Sequence, residues 1–123
     1  VCEDVAYLPW SPLSGGMLSG KYLNGQLPAG SRQTYEQRNG LFRKNETSEA
    51  AIQAYVDVAN RYEITPSQLA LAWCDQVDGV TSTIIGATSM PQLKENIAAF
   101  DMTLSAECLA EVSMLLRQYP APF

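Results

Sequence analysis

Two short β-strand patterns, far apart in the sequence, place the strongest limit on how this chain can fold. An apolar segment at residues 5–8 stops before Pro9, and residues 80–85 are β-branched apart from Ser82. Helical patterns occupy much of the sequence between them, which favours parallel pairing and an α/β architecture. Because two strands cannot form a stable buried parallel sheet alone, we expect the chain to supply one end of a larger sheet or barrel.

Four helices are predicted from apolar residues at helical spacing and from N-cap motifs. The first covers about residues 47–62, and the second begins with the capping box that starts at Thr65 and ends near Gln76. A third helix follows a capping box at residues 89–92, and a fourth begins near Ser105. The apolar residues that we expect on the inner faces of the last two helices are Leu93, Ile97, Phe100, Leu109, Val112, Leu116 and Tyr119.

Length and residue content exclude several classes of protein. The chain has 123 residues, which suits one domain, whereas a complete (β/α)8 barrel needs roughly 250. No apolar run is long enough for a transmembrane helix, and no targeting segment follows Val1, so we expect the chain to start partway through a longer gene product. The sequence has no histidine, which excludes Ser-His-Asp and Cys-His nucleophiles and His-containing metal sites, and no metal site is predicted.

The cysteines indicate a reducing compartment. Cys2, Cys74 and Cys108 are odd in number and widely spaced, which argues against a disulfide framework and excludes a four-cysteine zinc site within one chain. We expect small core or surface residues in a cytoplasmic protein, and a reactive thiol is the alternative.

The charges are unevenly distributed. The net charge of −5 disfavours general nucleic-acid binding, and no membrane contact is predicted. Residues 21–45, here called the basic loop, lack a clean period and have a local excess of positive charge. This pattern is typical either of a functional lid over a small anionic ligand or of a solvated loop. The charged residues of the basic loop are Lys21, Arg32, Glu36, Arg38, Arg43 and Lys44.

Two segments that follow the predicted strands are candidate sites. The turn at residues 86–89 joins a strand to a helix, and the helix N–H groups together with the Thr88 and Ser89 hydroxyls could bind an anion there. A plain capped junction is the alternative for this turn. Trp10, with residues 11–13 after it, could stack on a flat heterocycle, or it could be a core residue at a sheet rim.

These segments resemble a known family. Residues 10–22 resemble the aromatic-S-P-L-x-x-G-x-L-(S/T)-G-K-Y segment of aldo-keto reductases. Residues 85–96 resemble that family's segment near the C-terminus, (L/I)-G-(A/T)-x-x-x-x-Q-L-x-E-N, and residues 65–73 also match. The similarity covers essentially the whole chain and is greatest to the bacterial branch related to the potassium-channel β subunits.

The resemblance implies that residues 1–123 form the C-terminal segment of an NADP(H)-dependent (β/α)8 TIM barrel, with about strands seven and eight and their helices. It implies that Trp10 stacks on the nicotinamide ring and that Ser11, Pro12 and Leu13 line the pyrophosphate path. The other implied cofactor-binding residues are Gly16 and Lys21 beneath a belt-like loop, Arg32 near the adenosine phosphate, Gly86, Thr88 and Gln92 at the 2′-phosphate, and Glu95 and Asn96 at the adenine.

The family's catalytic Asp, Tyr, Lys and His come from earlier strands, so no catalytic residue is expected in this chain and the segment alone should be inactive. In the full-length protein, hydride would pass between NADPH and an aldehyde or ketone carbonyl. Two non-catalytic alternatives stay open. One is a truncated partial barrel that self-associates or pairs with another chain, and the other is a dinucleotide sensor like the channel β subunits.

Overall fold

Helices dominate the fold. The structure is a computed structural model that describes residues 5–35 and 45–122. Its α-helices are α1 Ser48–Arg61, α2 Pro66–Asp75, α3 Met90–Ala99 and α4 Ala106–Gln118. Short 3-10 segments precede them at Ser14–Ser19, Leu23–Gly25 and Arg32–Thr34. The four predicted helices are thus confirmed, with ends close to those predicted from the sequence.

The two segments predicted as strands do not form β-strands in the structure. Tyr7 pairs with Val80 and Trp10 pairs with Ile84, each as an isolated parallel bridge, and the described residues form no longer ladder. The bridges lie three residues apart on the first segment and four apart on the second, so one extra residue interrupts the pairing. With no third segment beside them among residues 5–35 and 45–122, the two described segments form no sheet. The parallel direction is as predicted, but the arrangement of barrel strands seven and eight is not reproduced.

The main hydrophobic core lies between α1, α2 and α4. Apolar residues on facing sides of these helices are buried together because each helix has one apolar stripe. The buried members of this core are Val58, Ala59, Leu69, Ala72, Leu104, Cys108 and Val112. A second cluster of Met17, Tyr22 and Ile52 holds the first 3-10 segment against α1. The core therefore fixes the loop that follows Trp10 relative to the helices.

Two residues predicted on inner faces are exposed. Ile97 is 53% exposed on α3, and Leu116 is 43% exposed on α4. On α3 the buried residues are instead Asn96 and Ala99, which lie one turn apart on the same side. The reason is that α3 packs mainly on α2, so only the side facing α2 is covered.

The helix starts follow their sequence motifs with one exception. At α2 the Thr65 hydroxyl accepts from the Gln68 N–H at 3.1 Å, while the Gln68 side chain accepts from the Thr65 N–H at 3.1 Å, as predicted. At α3 the Ser89 hydroxyl accepts from the Gln92 N–H, but the Gln92 side chain bonds to Thr88. The second predicted capping box is therefore only half formed.

The described cysteines are structural. Cys108 is buried and Cys74 is partly buried, and both are free thiols. Burial raises the pKa of both thiols, which keeps them protonated and poorly nucleophilic. Cys2 lies outside the described residues.

Within the described residues, no helix combines the length and the hydropathy needed to cross a membrane. The longest helix, α1, has 14 residues.

A polar contact joins the end of α1 to α4. The Arg61 guanidinium pairs with the Glu111 carboxylate, and the Tyr62 hydroxyl donates to the other carboxylate oxygen at 2.8 Å. These two bonds lower the pKa of Glu111, and the bond to Glu111 raises the pKa of Tyr62 to about 12. Both shifts favour the charged carboxylate beside a neutral phenol in the folded state.

Stability should therefore depend on pH at both extremes. The Glu111 contribution is present above the unfolded pKa of about 4.3 and is lost as pH falls through the lower folded value. The Tyr62 contribution is present below the unfolded pKa of about 10 and is lost as pH rises towards 12.

In thermal unfolding measured across pH, Glu111→Gln should lower the melting temperature near neutral pH. The difference in melting temperature between the variant and the unchanged chain should shrink at low and at high pH. Glu46→Gln, which removes an exposed carboxylate, is the control, and a pH-independent Glu111→Gln deficit would contradict this assignment.

Candidate functional site

An open cleft lies where the two bridged segments meet the N-terminal ends of α2 and α3. Its volume is about 1080 Å³, at the upper end of the roughly 300–1,000 Å³ typical of small-molecule sites. Every cofactor-binding residue that the family resemblance implies lines this one cleft, whereas Ser89, the other candidate of the turn, does not. The implied residues are Trp10, Ser11, Pro12, Leu13, Gly16, Lys21, Arg32, Gly86, Thr88, Gln92, Glu95 and Asn96. The two candidate segments, more than 70 residues apart in sequence, are brought together by the parallel bridge between Trp10 and Ile84.

Trp10 lines the cleft and is 61% exposed. It is therefore not part of the hydrophobic core that the described residues form. The backbone directly after it turns sharply, because Ser11 and Ser14 both have left-handed backbone angles, with φ of 55° and 49°. Such angles cost roughly 1–3 kcal/mol each and tend to occur where a binding site requires them. The strained turn places residues 11–13 along the cleft wall.

Gly16 and Lys21 are packed against each other in the cleft wall. Gly16 has a φ of +95°, and a Cβ atom there would lie 2.9 Å from both Cε and Nζ of Lys21. The Lys21 ammonium sits 5.2 Å from the centre of the Tyr22 ring, a cation–π distance, and Tyr22 is buried. A glycine at position 16 is thus what allows the lysine charge to lie at the cleft.

The turn before α3 satisfies some of its hydrogen-bond donors internally. The Thr88 N–H and hydroxyl both donate to Gln92 Oε1 at 3.0 Å, and the Gln92 N–H donates to Ser89. Pro91 has no N–H to offer. Two of the backbone donors expected at this helix start, the Thr88 and Gln92 N–H groups, are therefore already used. Because the Gln92 side-chain oxygen is occupied, its NH₂ group is a further donor for a ligand.

The net charge of the cleft is positive, whereas the net charge of the whole chain is negative. The charged residues of the cleft are Lys21, Arg32 and Glu95, a net charge of +1 against −5 for the chain. Arg32 is exposed in the third 3-10 segment and so is free to reach an anion. The other charged residues of the basic loop, Glu36, Arg38, Arg43 and Lys44, lie outside the described residues.

The start of α2 also lines the cleft, which the sequence motifs did not indicate. Thr65 and Ser67 lie in its wall, and the Thr65 hydroxyl donates to Glu95 Oε1 at 2.5 Å. Asn96 is buried beside Glu95 and donates to the Gly86 carbonyl at 3.5 Å. The position of the α2 start could have been predicted from the direction of the chain. A helix that leads into a parallel strand begins near the carboxyl ends of the paired segments, which is where Trp10 and Gly86 also lie.

The chain is similar to proteins of a known family. A model of the aldo/keto reductase family matches residues 1–117. Protein tas of Escherichia coli (strain K12) is 43% identical over 122 residues, covering 98% of this chain and 35% of that protein. A probable voltage-gated potassium channel subunit beta of Oryza sativa subsp. japonica is 32% identical over 115 residues, covering 90% of this chain and 35% of that protein. The chain thus spans about a third of the length of these relatives.

The packing of Gly16 on Lys21 can be tested by substitution. Gly16→Ala introduces a left-handed alanine and a 2.9 Å contact with the end of the Lys21 side chain. Because that flexible end can move aside, the variant should lower the free energy of unfolding by about 1–2 kcal/mol, the cost of the backbone conformation. Gly25→Ala is the matched control, because Gly25 has a φ of +72° and a Cβ atom added there would meet nothing within 4 Å. Chemical denaturation measures both. Losses of similar size are expected for the two variants, and a clearly larger loss for Gly16→Ala would show that the Lys21 side chain cannot move aside.

Proposed function

The chain belongs to the aldo/keto reductase family, and from that premise we propose that it forms the NADP(H)-binding end of a carbonyl reductase. The family match bears out the resemblance seen in the motifs and supports an oxidoreductase role for the longer protein. The observation that carries the proposal is that all the predicted cofactor-binding residues line one cleft. Because the chain spans about a third of its relatives, turnover of an aldehyde or ketone is proposed for the longer protein and not for this segment alone.

The chemical groups that line the cleft fit a phosphorylated dinucleotide. Trp10 offers an exposed aromatic face on which a flat ring can stack. The cations Lys21 and Arg32 and the acceptor Glu95 line the same cleft. When bound, the nicotinamide cofactor supplies the hydride that reduces a carbonyl carbon. The residues of this chain bind and orient the two ends of that molecule.

Preference for the 2′-phosphate rests on side-chain donors. Arg32 provides a planar guanidinium suited to bidentate phosphate binding, and Gln92 provides an amide NH₂ because its oxygen already accepts from Thr88. Gly86 leaves open space at this end, since a Cβ there would meet nothing within 4 Å. These donors have little to bind in a cofactor that lacks the phosphate.

Proton transfer to the carbonyl oxygen is assigned to the rest of the longer protein. The sequence has no histidine, and the catalytic Asp, Tyr, Lys and His that the family resemblance implies come from earlier strands. The segment alone should therefore bind NADPH without consuming it when an aldehyde is added. The proposed setting is a reducing cytoplasm, with a small carbonyl substrate and neither nucleic acid nor membrane as a partner.

One structural observation favours a second candidate, a non-catalytic partial barrel that binds dinucleotide or self-associates. The two bridged segments expose large apolar side chains, including Tyr7 at 61% and Ile84 at 53%, and such surfaces favour association. A sensing role is a variant of this candidate, since two relatives are named as probable potassium channel β subunits. An Asp, Tyr, Lys and His set encoded upstream of Val1 would favour the enzyme, whereas a gene without that set would favour the partial barrel.

The assignment of Arg32 and Gln92 to the 2′-phosphate predicts that their substitution affects the affinity for NADPH more than the affinity for NADH. Arg32→Ala or Gln92→Ala should weaken NADPH binding by roughly tenfold while changing NADH binding much less, because each removes a donor to the 2′-phosphate. Isothermal titration calorimetry on the purified chain measures both affinities. Arg117→Ala on α4 removes an equal charge away from the cleft and should change neither. Equal losses for NADPH and NADH would refute the phosphate role of Arg32 and Gln92.

The stacking assignment predicts a loss of affinity without a loss of fold. Trp10→Ala should weaken NADPH binding by about tenfold, the scale of a base–aromatic stacking contact, and should change the melting temperature little because the side chain is exposed. Tyr7→Ala is the matched control. Tyr7 is also 61% exposed on the same segment but does not line the cleft. If both variants bind NADPH like the unchanged chain, Trp10 does not stack on the nicotinamide ring.

A further inference from the structure

The cap residue of α2 makes a contact that helix capping does not require. Thr65 Oγ1 accepts from the Gln68 N–H at 3.1 Å and lies 2.5 Å from Glu95 Oε1 on α3. A carboxylate can only accept a hydrogen bond, so the Thr65 hydroxyl proton must point to Glu95. The Thr65 backbone is held in turn by the Gln68 side chain. The hydroxyl is therefore a fixed donor in a short, charge-assisted bond between two helices.

Comparison with the N-cap of α4 shows that capping a helix does not require the contact between Thr65 and Glu95. The Ser105 hydroxyl accepts from the Cys108 N–H within the first turn of its own helix. At α2 the equivalent hydroxyl instead reaches a carboxylate 30 residues further along the chain. Acceptance from Gln68 is enough to cap α2. Donation to Glu95 is therefore an additional contact, made between α2 and α3.

Glu95 is partly buried in the cleft wall with one oxygen held by Thr65. Its second oxygen has no hydrogen-bond partner among residues 5–35 and 45–122. An unconstrained glutamate has three rotatable bonds and loses rotamer freedom when it binds a ligand. Fixing one oxygen in advance removes much of that loss and aims the other oxygen at a hydrogen-bond donor.

We propose that Thr65 is a positioning residue that fixes the Glu95 carboxylate so that its free oxygen accepts from the exocyclic amino group of the cofactor's adenine. This inference rests on the proposed NADP(H) site. Its consequence is a base preference: the site binds a base that carries an amino group and rejects hypoxanthine, which carries a carbonyl oxygen at the same position. Thr65 sets that preference through Glu95 without touching the ligand.

The test compares NADPH with its hypoxanthine analogue, reduced nicotinamide hypoxanthine dinucleotide phosphate, by titration calorimetry on the full chain. The unchanged chain should prefer NADPH by roughly tenfold, because the wrong base leaves the carboxylate unpaired. Thr65→Ser keeps the hydroxyl and should keep the preference. Thr65→Ala and Thr65→Asp should reduce it to about twofold, mainly by weakening NADPH binding. Thr65→Asp retains an N-cap acceptor, so its loss cannot be ascribed to an unfolded α2.

A second pair of variants tests the direction of the Thr65 hydrogen bond. In Glu95→Gln the Thr65 donor should hold the amide oxygen, leaving the NH₂ group towards the base, so the preference should reverse to the hypoxanthine analogue. Adding Thr65→Ala to Glu95→Gln frees the amide to turn, and the reversed preference should disappear. Ser105→Ala removes a cap remote from the cleft and should lower the melting temperature while leaving the base preference unchanged.

The outcomes separate this inference from the proposed function. If the unchanged chain binds neither dinucleotide, the NADP(H) site is refuted and the role of Thr65 with it. If the chain binds NADPH but Thr65→Ala and Thr65→Asp keep the full preference, only the role of Thr65 is refuted. Failure of Glu95→Gln to reverse the preference would likewise refute a fixed Thr65 donor.

Discussion

The parallel pairing of two distant segments is the interaction on which the cleft depends. The Thr81 N–H donates to the Tyr7 carbonyl at 2.9 Å, and Trp10 is bridged to Ile84. These contacts bring the chain after Trp10 and the chain after Ile84 to the same edge of the molecule. The same two parts of the chain are also linked through α2, which contacts both the first 3-10 segment and α3. The core between α1, α2 and α4 supports the pairing by fixing the first 3-10 segment and α2 beneath it.

The chemistry of the cleft comes from side chains more than from helix ends. A helix N-terminus attracts anions through unsatisfied N–H groups, yet the turn before α3 satisfies several of its donors internally through Gln92 and Ser89. The positive character comes instead from Lys21, held by Gly16 and Tyr22, and from the exposed Arg32. In an acidic chain, two placed cations create a local field that the net charge does not indicate.

The helices could be predicted from the sequence because their determinants are local. Apolar spacing and the caps at Thr65 and Ser105 lie within each helix, and the structure follows them. The strands could not be predicted in the same way, because a β-ladder forms only beside neighbouring strands. The two bridged segments have an extra residue between their bridges and do not form a continuous ladder. For the same reason Ile97 is exposed, since its inner or outer position depends on which elements cover α3. Sequence motifs found the residues of the cleft, but the contact between Thr65 and Glu95 joins two helices 30 residues apart and has no local pattern.

The central claim is that two separate segments bind one dinucleotide, and an NMR titration of the isotope-labelled chain with NADPH tests it most directly. We expect backbone amides at residues 10–16 and 86–96 to shift together, with one dissociation constant, while those of α4 remain unchanged. Shifts confined to one segment, or two segments that titrate with different constants, would contradict a shared site.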